Sequence, residues 1–327
     1  MATRESLRAL IIGAGKIAAG YDAPQAKEIL THAHGFFAVP GFTLIGFVDR
    51  DLAQAEQAAA KWGGKAYEDI RAAFADGPID VVSVATPDET HATVLKELAA
   101  YSPRLIFCEK PLALSWLDAQ AIEKIYRALT TKIQVNYLRR FVPEFRAVKQ
   151  AIASGNYGRF LTGSGFYVKG FLHNGSHMVD LLQYWLGEAT DIQKLIDGKS
   201  DAVQHEEENH IADAEQSVVL TFADGGLFTI QSLAGNPYWI FELDLLFEQK
   251  RLRILDSGLA MQEYILGENP VFPGTPEMQP QPICTTGLDR AMQFAMENIR
   301  DHLLLGEPLL CPLNDALATL KTGLLRS

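Results

Sequence analysis

The feature that most constrains the fold is a glycine-rich turn directly after a short apolar strand. Residues 7–12 (Leu-Arg-Ala-Leu-Ile-Ile) predict a strand, and residues 13–18 (Gly-Ala-Gly-Lys-Ile-Ala) follow at once with the pattern G-x-G-x-x-G/A. In this pattern Gly13 allows the tight turn, Gly15 lets the backbone approach a pyrophosphate, and Ala18 permits close helix–strand packing. The start of the following helix would supply N–H groups for the phosphates.

A second predicted strand, residues 42–48, ends in Asp49 and Arg50. A carboxylate there can accept both ribose hydroxyls of NAD, whereas a guanidinium could hold the 2′-phosphate of NADP. We favour NAD as the cofactor and leave NADP open.

The glycine turn and the acidic residue are unusually far apart. Asp49 follows Gly13 by 36 positions, where the usual spacing is ~20. The excess lies in an insertion, residues 21–34, that carries His32 and His34. We expect these two histidines to be loop or helix-cap residues rather than ligands.

Strand and helix patterns alternate throughout the first part of the chain, which predicts a doubly wound parallel sheet in an α/β domain of residues 1–136. The remaining predicted strands are 80–85, 105–108 and 132–135, and the helices are 51–62, 88–100 and 115–129. The strand 105–108 ends in Glu109, Lys110 and Pro111. Charges at the end of a buried strand are costly unless they are paired or used. Because ligands bind at the carboxyl ends of such strands, we expect Glu109 and Lys110 to lie at a ligand-binding edge.

The second part, residues 137–327, predicts an α+β domain with a large open, mainly antiparallel sheet. The predicted strands are 159–168, 217–222, 227–232, 241–247, 251–256 and 261–265, and the helices are 143–154, 288–305 and 314–325. Residues 266–286 contain five prolines and predict a long loop. One face of the sheet can be covered by helices, and the other is a candidate oligomer interface.

A histidine pair, His173 and His177, precedes an apolar helical pattern in this second part. Two histidines at i and i+4 could share a helix face and bind zinc, but no glutamate follows the first histidine and no third ligand is evident. Hydrogen-bonded histidines at a helix start are the better interpretation. A catalytic role is preferred over both only if this segment faces the nicotinamide edge of the first domain.

The composition of the chain limits the kinds of partner that we expect it to bind. The net charge of −11 and the isoelectric point near 5.2 argue against nucleic-acid or membrane partners. The three cysteines lack metal-ligand spacing and fit free thiols in a reducing compartment. Residues 1–6 leave no room for a signal peptide, and no apolar run approaches the ~18 residues of a membrane span. We therefore expect a cytoplasmic protein without a bound metal.

Several motifs together resemble the Gfo/Idh/MocA oxidoreductases, the glucose–fructose oxidoreductase and inositol dehydrogenase group. These motifs are residues 13–18, Asp49-Arg50, Ala85-Thr86-Pro87 with His91, Glu109-Lys110-Pro111, and residues 175–181. The resemblance implies a Rossmann domain followed by an α/β domain whose open sheet commonly forms homo-oligomers. It also implies oxidation or reduction of a hydroxyl or keto carbon of a sugar, cyclitol or nucleotide sugar.

The resemblance further implies roles for individual residues. Lys110 corresponds to the catalytic lysine and His177 to the catalytic histidine, and His173 stands where the family usually has Asp or Asn. The cofactor contacts would be Gly13, Gly15, Lys16, Ile17, Asp49, Arg50, Thr86, Pro87, His91, Glu109, Lys110 and Asn136. The substrate contacts would be Lys110, Arg139, Arg140, Tyr167, His173, Asn174 and His177. For three of these residues a structural role, in surface or interdomain salt bridges, is as good an interpretation as substrate contact: Arg139, Arg140 and Tyr167. The Lys110-Pro111 bond would be cis.

The preferred interpretation is an NAD-dependent sugar-type dehydrogenase. The His-Asn-Gly-Ser-His variant and the insertion resemble members associated with bacterial surface-sugar pathways, which favours a nucleotide-linked sugar as substrate. Two alternatives from the same family remain: an NAD-dependent glycosidase that releases no net NADH, and a cofactor-sensing regulator that binds another protein.

Overall fold

The computed structural model describes residues 6–196, 213, 215–233, 235 and 238–324. The chain divides into two compact units: residues 1–142 with 289–317, and residues 143–288 with 318–327. The division into domains 1–136 and 137–327 stays a prediction. The first compact unit differs from the first predicted domain because it also contains residues 289–317. Residues 1–5 and the predicted helical position 325 lie outside the described residues.

A parallel sheet forms the centre of the first unit, as the alternating pattern predicts. Its strands are β1 (Leu7–Ile12), β2 (Phe42–Val48), β3 (Lys65–Tyr67), β4 (Val81–Val84), β5 (Leu105–Cys108) and β6 (Lys132–Val135). The described strands lie in the order β3-β2-β1-β4-β5-β6 with every pair parallel. This is the doubly wound order, in which the direction of winding reverses between β1 and β4. The short strand β3 was not predicted.

The helices of the described chain are α1 (His32–Ala38), α2 (Leu52–Trp62), α3 (Ile70–Ala75), α4 (His91–Leu98), α5 (Trp116–Arg127), α6 (Pro143–Ala153), α7 (Ser176–Leu186), α8 (Ala291–Leu305) and α9 (Leu313–Gly323). Side-chain oxygens of Thr31, Asp51, Asp69 and Ser115 accept backbone N–H bonds at the starts of α1, α2, α3 and α5. These N-caps explain why the helices begin where they do. No helix in the described part of the chain is long and apolar enough to cross a membrane.

Helix α1 packs closely on α8 within the first unit. A Cβ atom on Gly35 of α1 would lie 2.9 Å from Met296 Cγ and 3.0 Å from the Met292 carbonyl oxygen of α8. The two backbones therefore meet at a contact that only glycine fits, and α8 fixes the position of α1 on the sheet.

A second, mixed sheet forms the other unit. Its strands are β7 (Phe160–Tyr167), β8 (Asp191–Ile196), β9 (Ser217–Thr221), β10 (Leu227–Ser232), β11 (Phe241–Phe247), β12 (Lys250–Leu255), β13 (Ala260–Glu268), β14 (Pro276–Pro280) and β15 (Cys284–Thr285). Among described residues the order is β14-β13-β12-β11-β7-β10-β9-β8, with β15 beside β13. Of the pairs between described strands in this sheet, only β7–β10 is parallel. The predicted class, a large and mainly antiparallel sheet, is confirmed, but the predicted loop 266–286 is wrong because it contains β14 and β15.

One face of this sheet is buried and carries α7. Along β11, Phe241, Leu243, Leu245 and Phe247 are buried, while the residues between them are partly exposed. A Cβ on Gly165 of β7 would lie 2.6 Å from Met178 Sδ, so α7 lies directly on the sheet. The sheet therefore fixes the first turn of α7, where His177 lies.

Candidate active site

Residues of the predicted motifs and cofactor contacts follow directly after five of the six described strands of the first sheet. Gly13 follows β1, Asp49 follows β2, Ala85 follows β4, Glu109 follows β5 and Asn136 follows β6. Because all described strands of this sheet are parallel, these positions share its carboxyl edge. The predicted strand-end residues of the first unit are thus brought together at one edge.

The turn after β1 fits a dinucleotide. Gly13 has φ 92°, and a Cβ there would lie 2.5 Å from the Ala85 carbonyl oxygen, so only glycine is accommodated. A Cβ on Gly15 would have no atom within 4 Å, which leaves open space for a pyrophosphate. The Ala14 N–H donates to Asp49 Oδ2 at 2.8 Å, and this bond holds the turn against β2. The expected helix is only a single turn of π-helix, Lys16–Gly20, and the insertion follows it.

The turn after β4 is tied to the segment after β5 by a buried histidine. The two ring nitrogens of His91 lie 2.9 Å from the Thr86 carbonyl oxygen and 2.7 Å from the Pro111 carbonyl oxygen. The ring is fully buried, whereas Pro87 and Arg50 are exposed. His91 therefore holds the two turns together. The Lys110-Pro111 bond is cis, as the resemblance implies.

Glu109 is the centre of a buried hydrogen-bond network. Its Oε1 lies 2.8 Å from His32 Nε2 and accepts the Asn136 side-chain N–H at 2.5 Å. Its Oε2 accepts the Lys110 backbone N–H at 3.3 Å. Burial alone would raise the pKa of Glu109, but hydrogen bonds and charge from His32, the Asn136 bond and the Lys110 charge outweigh it and lower the pKa to about 2. The carboxylate is therefore ionised at neutral pH.

The insertion is ordered by a second carboxylate, that of Asp22. Asp22 Oδ2 accepts the N–H groups of Leu30 at 2.6 Å and Thr31 at 3.1 Å, and it lies 2.9 Å from His34 Nδ1. The helix cap is Thr31, not a histidine as we expected, and the side chains of His32 and His34 are both buried.

The candidate substrate residues after β6 are mostly buried. Arg140 forms an ion pair with Asp315, which favours the salt-bridge alternative for this residue. Arg139 is also buried. In the second unit, Tyr167 is fully buried and its hydroxyl donates to the Gln216 carbonyl oxygen at 2.8 Å. Burial raises the pKa of Tyr167, so the hydroxyl stays protonated.

The histidine pair lies where the second unit changes from a π-helical turn, Phe171–Gly175, to α7. The side chain of His173 is exposed, whereas His177 is buried in the first turn of α7. The Asn174 side chain donates to the Val168 carbonyl oxygen at 2.7 Å. In the described parts of the chain, no cluster of three or more His, Cys, Asp or Glu residues could hold a metal ion.

Asp213, which no sequence pattern predicts, holds the backbone at the first histidine of this pair. Its two oxygens accept the N–H groups of Leu172 at 2.9 Å and His173 at 2.7 Å. Burial raises the pKa of Asp213, although the N–H bonds and His173 oppose the shift. A carboxylate therefore lies next to the position where the resemblance implies Asp or Asn. No local pattern could have identified it, because Asp213 follows His173 by 40 residues.

Two glycine substitutions should separate folding from cofactor binding. We expect Gly13→Ala to lower the free energy of unfolding by about 1–3 kcal/mol, because the residue is strained at positive φ and its Cβ overlaps Ala85. Gly15→Ala should leave stability unchanged, since φ is −71° and the space is open, but should abolish NAD binding. Urea denaturation and calorimetric titration measure the two effects. Unchanged NAD affinity in Gly15→Ala would exclude a pyrophosphate at this turn.

The comparisons with known proteins agree with this arrangement. Residues 7–137 match a family model described as an oxidoreductase family with an NAD-binding Rossmann fold. An inositol 2-dehydrogenase from Arthrobacter is 30% identical over 236 residues, covering 66% of this chain and 66% of that protein. An inositol 2-dehydrogenase from Rubrobacter xylanophilus is 36% identical over 123 residues, covering 37% of this chain and 35% of that protein. The chain thus spans just under two thirds of the first relative and about a third of the second.

Solved structures match over nearly the whole chain. The UDP-N-acetylglucosamine 3-dehydrogenase from Acidithiobacillus ferrooxidans has a TM-score of 0.74 at 16% identity, covering 98% of this chain and 96% of that one. At this identity the likeness concerns the fold alone. Together with the matched Rossmann model, the dehydrogenase relatives and the two observed sheets, it leads to one assignment: the chain belongs to the Gfo/Idh/MocA family of oxidoreductases.

Proposed function

We propose that the protein is an NAD-dependent dehydrogenase that transfers a hydride between nicotinamide and a hydroxyl or keto carbon of a sugar-like substrate. The observation that carries this proposal is the position of Glu109 and Lys110 at the carboxyl edge that also holds the glycine turn. The open space at Gly15 and the carboxylate of Asp49 fit a dinucleotide there.

In this proposal two side chains carry the chemistry. Bound nicotinamide would supply the hydride acceptor or donor. Lys110 stabilises negative charge on the reacting oxygen. His177 exchanges the proton of that oxygen, since an imidazole is suited to proton transfer near neutral pH. His173 and Asn174 are assigned to substrate binding, and Arg139 remains a candidate for it.

The substrate class follows from the relatives. The inositol 2-dehydrogenases make a cyclitol or sugar the first candidate. A nucleotide sugar, used in surface-polysaccharide synthesis, is the second candidate, and the fold of a UDP-N-acetylglucosamine dehydrogenase is compatible with it.

We also propose a cytoplasmic homo-oligomer. All three cysteines are free thiols, which fits a reducing compartment. The face of the second sheet that carries Glu242, Asp244 and Leu246 is partly exposed, and a second copy of the chain would bury it.

Thermal-shift measurements with NAD⁺, NADP⁺, myo-inositol and UDP-N-acetylglucosamine test the proposal. A ligand at 100 times its Kd adds about 2.7 kcal/mol to stability. We expect NAD⁺ to raise Tm more than NADP⁺, because Asp49 favours a free ribose diol. One of the two sugar-like probes should raise Tm further when NAD⁺ is present. No shift with either dinucleotide would refute the function.

The ratio of reduced nicotinamide to product distinguishes the proposed dehydrogenase from a glycosidase and from a regulator. A dehydrogenase forms one reduced nicotinamide per product molecule, whereas an NAD-dependent glycosidase forms product without net reduction. A regulator would bind the dinucleotide and show no substrate-dependent absorbance change.

A further inference from the structure

Two elements of the first unit bring polar groups to the Glu109 carboxylate, and a third bonds to one of those groups. His32 comes from α1, and its Nε2 lies 2.8 Å from Glu109 Oε1. Asn136, after β6, donates to the same oxygen at 2.5 Å. Ser83, in the otherwise apolar strand β4, places its hydroxyl 2.5 Å from His32 Nδ1. His32 and Ser83 are fully buried, so these bonds are protected from water.

Hydrogen bonds within the insertion, residues 21–34, place His32 next to Glu109. Asp22 accepts the backbone N–H groups of Leu30 and Thr31 and contacts the Thr31 hydroxyl and the His34 ring. Thr31 in turn accepts the His34 N–H as the cap of α1. The start of α1 is therefore fixed, and the first residue of that helix is His32. His32 also lies against the Phe107 ring at 5.2 Å, next to the strand end that carries Glu109.

We propose that His32 is a positioning residue for the Glu109-Lys110 motif: it holds the Glu109 side chain ionised and in one orientation. The proposal deepens the proposed function, on which its kinetic test rests. His32 lies 77 positions from Glu109 and belongs to the insertion rather than to the motif itself. The Glu109-Lys110-Pro111 motif by itself does not indicate which side chain contacts the Glu109 carboxylate.

The hydrogen-bond pattern defines what His32 does. An ionised carboxylate only accepts, so His32 Nε2 carries the hydrogen that Glu109 receives. Ser83 then fixes the ring by bonding to Nδ1. Glu109 Oε2 accepts the Lys110 N–H at 3.3 Å, so the orientation of the carboxylate is transmitted to the backbone of Lys110.

Among the described residues, the charges that act on Glu109 come from His32 and Lys110. The titratable groups facing it are His32 on α1 and its own neighbours Lys110 and Cys108. Ser83 and Asn136 bring hydrogen bonds without charge. Without His32, fewer interactions would oppose the effect of burial, and the pKa of Glu109 would be higher than in the wild type.

The test compares wild-type protein with His32→Leu in two measurements. In the first, the carboxyl ¹³C resonance of Glu109, assigned with Glu109→Gln, is followed from neutral to acidic pH. We expect no titration in the folded wild type and titration at higher pH in His32→Leu. In the second, kcat should fall about 10- to 100-fold, as for loss of a hydrogen bond to a charged group, while NAD⁺ affinity is retained.

His34→Gln is the matched control, because His34 lies on the same helix and contacts Asp22 instead of Glu109. It should lower Tm without changing the Glu109 titration. If His32→Leu does not fold, Ser83→Ala replaces it and should shift the same resonance in the same direction. A folded variant of His32 or Ser83 with the wild-type Glu109 titration overturns the proposal. Absence of NAD⁺ binding by the wild type would refute the proposed function instead, and the resonance would still report on His32.

Discussion

Replacing Lys110 by methionine is expected to lower turnover by a factor of about 10²–10³ or more, as for loss of one preorganised donor at a developing oxyanion. Lys110 follows Glu109 at the carboxyl end of β5, and the cis bond to Pro111 comes directly after it. Methionine is an unbranched side chain only one atom shorter than lysine, and it removes the ammonium. The fold should therefore be retained, and the loss should appear in kcat with the substrate identified by thermal shift.

Lys16→Met is the matched control. Lys16 lies on the exposed turn after β1, at the same carboxyl edge, and loses the same charge when substituted. We expect Lys16→Met to change dinucleotide affinity and to leave kcat at saturating cofactor near the wild-type value. Both variants are compared by absorbance of the reduced nicotinamide and by calorimetric NAD⁺ titration. If Lys110→Met turned over substrate at the wild-type rate, Lys110 would have no catalytic role.

The parallel sheet could be predicted because its signals are local. Buried strands of a parallel sheet are continuous apolar runs, and the pattern gave β6 as residues 132–135, which the structure confirms. The positions after the strands then follow from topology alone. Glu109 and Lys110 are predicted to be site residues because charges directly after a buried strand are unusual.

The prolines of residues 266–286 misled the prediction. Pro276 and Pro280 lie at the two ends of β14, and β14 is an outer strand of the described sheet. Proline cannot donate to a neighbouring strand, which excludes it from central strands but not from an outer one. A proline-rich stretch therefore does not exclude a short strand at a sheet edge.

The partners of the site residues could not be predicted. His32 contacts Glu109 across 77 residues, and Asp213 holds His173 across 40. Such contacts depend on how α1 packs on α8 and on where Asp213 lies against the backbone of Leu172 and His173. No periodic pattern of apolar residues in the sequence indicates either contact. Local patterns could thus predict which residues form the candidate site, but not which groups fix their charge and orientation.

Replacing His177 by asparagine is expected to lower turnover by a factor of about 10²–10⁴, the usual contribution of a general acid–base group. His177 is buried in the first turn of α7, and Met178 anchors that turn against Gly165 of the sheet. Asparagine keeps a hydrogen-bonding group but cannot exchange a proton near neutral pH. The loss should therefore fall on kcat, and KM should change little.

His173→Asn distinguishes this role from simple binding. The side chain of His173 is exposed, and its backbone N–H is held by Asp213, so the substitution leaves the local backbone in place. Asparagine is also one of the residues that the family resemblance implies at this position. We expect His173→Asn to raise KM with kcat close to the wild-type value. A loss of kcat equal to that in His177→Asn would mean that the two histidines share the proton transfer. Wild-type kcat in His177→Asn would assign that transfer to another group.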